Sequence, residues 1–204
     1  MPLASIIISA ISLLLSATVA VLTLFRRGKL CVTRPMLVGF LHEGTEPKIF
    51  LRLMLYATGK RGWIIEALYL RVQRGDGEEQ VFSFWMHGET EALRIGSGLK
   101  VGEDGTSANH HFLPPKDSSF RFLAGEYVIK LHASIVNRKA AVSLSEIRLS
   151  LTDELASALT DPSRGVLFTW QPNLHRYQGN ISEPVITGRD RSVSGASRGK
   201  PSWA

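Results

Sequence analysis

The feature that most constrains this chain is its first apolar run. Leu3 to Phe25 contains no charged residue, and Arg26, Arg27 and Lys29 follow at once. As a helix rising 1.5 Å per residue the run measures roughly 34 Å, enough to cross a hydrocarbon core of about 30 Å with some tilt. A helix is the form it must take in lipid, because an isolated open strand would leave its amides unpaired. Pro2 precedes the run, where a missing N–H costs little. A cleaved signal peptide is the competing reading, and Thr18-Val19-Ala20 would serve as a cleavage sequence. Such a peptide, however, carries its basic residues before an apolar stretch of about 7–15 residues. Here they come after a longer one, so a retained span is expected.

The same charges set an orientation. Arg26, Arg27, Lys29 and Arg34 flank the C-terminal end of the run, and only the terminal amine flanks the other. The positive-inside bias places Met1 outside and the rest of the chain in the cytoplasm, on the inner (plasma) membrane; a periplasmic domain is the alternative. Cys31 is the one cysteine, so no internal disulfide is possible. Within the run, Ser5, Ser9, Ser12 and Ser16 step by four, three and four and share one helical face. Small polar residues on one stripe let a second helix approach closely, which makes a homo-oligomer or a protein partner an expectation. The same serines can instead bond back to their own helix carbonyls.

Removing the span and a tail from 204 residues leaves about 145 for one domain, near the common domain size. The net charge of +6 invites a nucleic-acid reading, but its placement argues against one. The first 34 residues hold Arg26, Arg27, Lys29 and Arg34 and no acid, so most of the excess is juxtamembrane. There each basic residue gains about 1 kcal/mol near anionic lipid. The nearly neutral remainder is a poor phosphate binder, so the lipid bilayer is an expected partner and nucleic acid is not. The expected order is a span with basic flank (1–28), a stalk (29–35), a β-domain (36–180) and a disordered tail (181–204).

The β-domain rests on period-two patterning. Met36 to Glu43 reads as a first strand. In Lys48 to Ala57, Ile49, Leu51, Leu53 and Leu55 alternate with Phe50, Arg52, Met54 and Tyr56. Trp63 to Gln73 places Ile64, Leu68, Leu70 and Val72 on a buried face that Glu66 interrupts, and Gln80 to His87 is expected as one covered return strand. Glu89 to Leu93 reads as a loop or helical turn, Arg94 to Gly102 as a short strand broken by glycines, and Ser107 to Asp117 as irregular, with two prolines to end any strand. Phe120 to Val136 is the strongest stretch, with Tyr127, Ile129, Leu131, Ala133 and Ile135 facing one way. Val142 to Leu151 returns, Thr152 caps a short helix through Leu159, and Val166 to Gln171 is the last strand expected. Seven or eight strands with short turns predict a mainly β fold, an antiparallel β-sandwich preceded by one transmembrane helix.

Two resemblances bear on this. Phe122-Leu123-Ala124-Gly125-Glu126-Tyr127 resembles the entry to a late strand in immunoglobulin-like and fibronectin-like sandwiches, where a tyrosine hydrogen-bonds back across the corner. That implies an Ig-like sandwich and no function. Residues 48–135, notably Lys60-Arg61-Gly62 and Gly96-Ser97-Gly98-Leu99 through Asn109-His110-His111-Phe112-Leu113, are similar to uncharacterised bacterial membrane-anchored proteins. That resemblance implies a bacterial source and no known activity.

The candidate chemistry is sparse. His110 and His111 are adjacent, so on extended chain they point to opposite sides; His87 and His132 join them as metal ligands only if the fold brings them near. Gly96-Ser97-Gly98 lacks the following helix that a phosphate loop needs, which leaves a bulge or close backbone packing. Ser143 and Ser145 lie in no nucleophile elbow, and Cys31 sits beside the membrane without a local basic partner arranged for catalysis. Lys60-Arg61 and Arg71 with Arg74 are basic turns that solvent or anionic headgroups can meet. The expected function is a membrane-anchored binding or structural module without a cofactor. The alternative is a metal-dependent enzyme centred on His110 and His111.

Overall fold

The computed structural model describes residues 2–25, 28–88, 94–96 and 98–182. Arg26, Arg27, the loop or turn expected at Glu89–Leu93, Ser97 and the expected tail beyond Ser182 lie outside them. Helix α1 covers Pro2–Phe25. Its Leu3–Leu22 stretch has a mean hydropathy of 2.4 and is exposed throughout. A helix apolar all round and packed on nothing suits lipid rather than water. Thr18 Oγ1 donates back to the Leu14 carbonyl of the same helix at 2.8 Å.

The rest is mainly β, in two antiparallel sheets. The first runs β13 (Arg176–Ser182), β12 (Gly165–Gln171), β2 (Leu37–Glu43), β3 (Glu46–Ala57), β9 (Thr106–Leu113), β6 (Phe84–His87), β7 (Arg94–Ile95). A short β1 (Leu30–Val32) pairs with the end of β3. The second runs β11 (Val142–Leu151), β10 (Gly125–Ile135), β4 (Trp63–Arg74), β5 (Gln80–Phe82), with β8 (Leu99–Val101) on the start of β4. One core joins the sheets: Ile49, Leu51 and Leu55 of β3 meet Leu68 and Leu70 of β4 and Ile129 and Leu131 of β10. Alternation produced this directly in β3 and β10, where each inward residue named from sequence is buried. Helix α2 (Asp153–Ala158) carries the chain from one sheet to the other. Thr152 caps it by accepting from the Leu155 N–H.

Five expectations need correction. Ser107 to Asp117, expected to be irregular, holds β9 inside the first sheet, where His110 and Phe112 are fully buried between β3 and β6. Leu30–Val32 is no stalk: it is a strand, because Leu30, Cys31 and Val32 find open ladder positions opposite Ala57, Tyr56 and Leu55. In β4 the register with β10 shifts between Ile65 and Ala67. This bulge reverses the parity, so Trp63 and Ile65 point inward before it and Leu68, Leu70 and Val72 after it. Ile64, expected inside, is 54% exposed. Gln80 to His87 is two strands, since the chain changes sheets at Ser83: Phe82 faces the core from one sheet and Trp85 from the other. Finally, β13 was not expected. It is an edge strand on β12 with no side chain fully buried, so it carries no apolar alternation to read.

The tyrosine expected at a corner makes its bonds. Tyr127 Oη donates to the Leu123 carbonyl at 2.6 Å and accepts from the Leu123 N–H at 3.0 Å. Gly125, at φ +144, turns the chain between them.

Candidate functional site

The histidine pair comes first. His110 pairs with Leu51 on β3 and His87 on β6, so its ring faces the core. It is fully buried. Trp85 Nε1 donates to His110 Nδ1 at 3.1 Å, and His87 lies 6.4 Å away, ring centre to ring centre. Indole N–H only donates, so Nδ1 must present its lone pair and the neutral ring carries its proton on Nε2. Nε2 is buried and meets no acceptor. Burial, then His87 and His111, pushes the His110 pKa down to about 3. Trp85 itself is seated by Gly96, where a Cβ would lie 2.0 Å from the indole. The glycine stretch therefore marks close packing over a ring.

His111 points the other way. It pairs with Phe50 and Met86 on the face of the first sheet turned away from the core, 5.1 Å from the Phe50 ring. It too is buried, 5% exposed, with neither ring nitrogen hydrogen-bonded. Burial and then the Lys48 ammonium lower its pKa to about 4, against the opposing charge of Glu43. Lys48 is itself buried and paired with Glu43. The two histidines thus sit on opposite faces of one sheet and do not converge on a single ion. The fold brings His87 to His110, but His132 lies in the second sheet, stacked on Tyr69. No group of three or more His, Cys, Asp or Glu among the described residues could hold a metal ion. A ring whose Nδ1 accepts from Trp85 offers a metal no lone pair at Nε2 while neutral.

The anchor-flanking residues divide in two. Lys29 lies at the helix exit, and its N–H donates to Thr58 Oγ1 at 2.7 Å while the Thr58 N–H donates to the Lys29 carbonyl at 2.9 Å. Arg34 also makes a contact within the fold: its guanidinium lies 4.0 Å above the Trp170 ring, a cation–π contact. Ser5, Ser9, Ser12 and Ser16 are all exposed on α1.

Around Trp170 is a site that sequence reasoning missed. Arg34, Glu146, Arg148, Trp170, His175 and Tyr177 line a cleft of about 460 Å³ where β1 and the β12–β13 hairpin meet β11. Trp170 and Tyr177 are cross-strand partners, 5.0 Å apart edge to face. Tyr177 Oη donates to the Pro35 carbonyl at 2.7 Å, and burial pushes its pKa up to about 12 against Arg34. Glu146 is held by Arg148 at 2.8 Å. The cleft therefore presents a cation over an aromatic face, with a second ring set edge-on beside it. The two aromatics flanking the Gln171–Arg176 turn were the available signal, hidden because β13 itself was not expected.

No protein-family model matches this chain, and no curated protein does. Among solved structures it is similar to a family 123 glycoside hydrolase from Clostridium perfringens, at 8% identity and a TM-score of 0.32. That match covers 61% of this chain and 27% of the hydrolase, and likeness at this level carries no argument about function.

Proposed function

We propose that this protein is a single-pass membrane protein that holds an immunoglobulin-like β-sandwich against the cytoplasmic face of the inner membrane, as a binding or structural module. The observation that carries the reading is α1: an apolar helix exposed from Leu3 to Leu22, beside a domain that closes its core without it. In water such a helix would leave its whole apolar surface exposed, which only lipid or another helix relieves. The immunoglobulin-like assignment is supported by strand order. β2-β3-β9-β6 on one side and β11-β10-β4 on the other follow the ABED and GFC arrangement, with β5 added beside β4 and Tyr127 bonding its corner at the start of the F-like strand. The β12–β13 hairpin is an addition on the outer edge. The serine stripe supports pairing of α1 with a second copy or a partner helix.

The test is extraction and topology. Full-length protein should resist alkaline carbonate, and a cytoplasm-active reporter fused after Ala204 should be active. Release by carbonate would overturn the anchor. Activity of a periplasm-dependent reporter would overturn the side and keep the anchor.

A further inference from the structure

We propose that the end of the β-domain nearest α1 is a docking surface for anionic phospholipid headgroups, which stands the domain end-on against the bilayer. The proposal deepens the membrane-anchored reading and rests on it. The geometry begins at the helix exit. From Phe25 to Lys29 the chain spans at most about 14 Å, and at Lys29 it is bonded to Thr58. The Thr58–Gly62 loop therefore cannot stand far from the headgroups.

Strand direction brings other loops to the same end. β3 ends there and β4 begins; β8 ends there and β9 begins; β10 ends there, where the Val136 N–H donates to the Ile64 carbonyl, and β11 begins. Among the described residues these three connections carry Lys60 and Arg61, then Glu103 and Asp104, then Arg138 and Lys139, all exposed, and Lys29 adds to them. None of the five cations forms a salt bridge with a described residue. Arg138 rests 4.6 Å over the Trp63 ring, which fixes its charge at the rim. Ile64 and Val136, 54% and 38% exposed, lie between the cations. The opposite end has the reverse sign. Its connections carry Asp76, Glu78, Glu79, Asp117, Asp153, Glu154 and Asp161 against Lys116, Arg121 and Arg164. A negatively charged leaflet attracts one end and repels the other, so the field orients the domain as well as holding it.

The experiment uses the full chain in vesicles of phosphatidylcholine alone and in vesicles with about one-third phosphatidylglycerol, read by amide hydrogen exchange. Exchange in 58–62 and 136–141 should slow on the order of fivefold in the anionic vesicles, and 75–79 should not change. About 1 M salt, which cuts the Debye length to about 3 Å, should abolish the slowing. So should the combined variant Lys60→Glu, Arg61→Glu, Arg138→Glu, Lys139→Glu, with exchange of β10 confirming that it folds. Equal exchange in both vesicles, or slowing confined to 75–79, would overturn the proposal. Carbonate extraction of the same vesicles separates the two readings: protein that stays inserted yet ignores lipid charge defeats the docking surface alone, whereas protein that washes off defeats both.

Discussion

The two ends of the β-domain differ in what they are made of. The distal half is closed by rings: Phe40 stacks on Phe122 at 4.6 Å and meets Tyr127 and Phe168 edge to face, while Phe120 packs edge to face on Phe82 and Phe122. Its surface is acidic. The end beside α1 has short glycine turns, exposed Ile64 and Val136, and an excess of lysine and arginine. Aromatic rings gather where the chain is farthest from the anchor, whereas Leu55, Trp63, Ile65, Val101 and Ile135 close the core nearer to it; the acids go with the rings and the lysines and arginines with α1. A domain whose ends were interchangeable would not be sorted this way.

The comparison breaks most readily at its rings. Phe40→Ala should cost about 3–5 kcal/mol, because the fully buried ring has partners on three sides that cannot all collapse into the space. Ile64→Ala, at the other end, should cost no more than about 0.5 kcal/mol. Urea unfolding of the full chain in detergent measures both. Similar losses at the two sites would show that the proximal end is packed core after all.

The next largest effect lies between the ends, at the histidines. Both folded pKa values are depressed, to about 3 for His110 and about 4 for His111, against about 6.5 unfolded. Below pH 6.5 the unfolded chain therefore binds protons that the folded chain refuses, and stability falls as pH falls toward those folded values. At pH 5 the two together should have removed roughly 4 kcal/mol relative to pH 8. The combined variant His110→Gln, His111→Gln keeps an acceptor for Trp85 and should flatten that slope. An unchanged slope would mean that the rings are open to water in solution.

How much of this was legible in the sequence depends on burial. In β3 and β10 one face is wholly inside and the other is not, so alternation named the inward residues. The α1 run and the Tyr127 corner were equally open, each being a local pattern with a local cause. Parity failed where the ladder changes: at the bulge after Ile65, where one extra residue moves Ile64 outward, and at Ser83, where the strand leaves one sheet for the other. The Trp170 cleft was hard to see because Arg34, Glu146 and the Trp170–Tyr177 pair come from segments far apart in the chain, and the strand that carries Tyr177 has no apolar alternation. His110 and His111 were rightly expected on opposite faces. That both would be buried could not be seen, since it depends on Phe50 and Lys48 covering the outer one.

Tyr127→Phe sharpens the distal side of the comparison. The hydroxyl serves both the N–H and the carbonyl of Leu123, and its loss leaves two part-buried backbone groups unmatched. The expected cost is about 1–3 kcal/mol, with faster exchange confined to 120–126 and no change at 58–62. Loosening at both ends would mean that the corner supports the whole sandwich.

The smallest expected effect, Gly28→Ala, asks whether the helix exit is latched. Gly28 has φ +66, and a Cβ there would lie 2.5 Å from the Gly59 nitrogen and 2.7 Å from Thr58 Oγ1. Alanine must strain the left-handed backbone or push the Thr58 turn away, and the two bonds between Lys29 and Thr58 go with it. Global stability should drop by only about 1 kcal/mol, since no core residue moves. Exchange at 58–62 should nevertheless rise severalfold, and limited proteolysis should open a new cut between Arg27 and Thr33. The ring-closed end should not respond. If α1 and the β-domain are joined by a loose tether, neither exchange nor cutting will change, and the proximal end would owe its position to lipid alone.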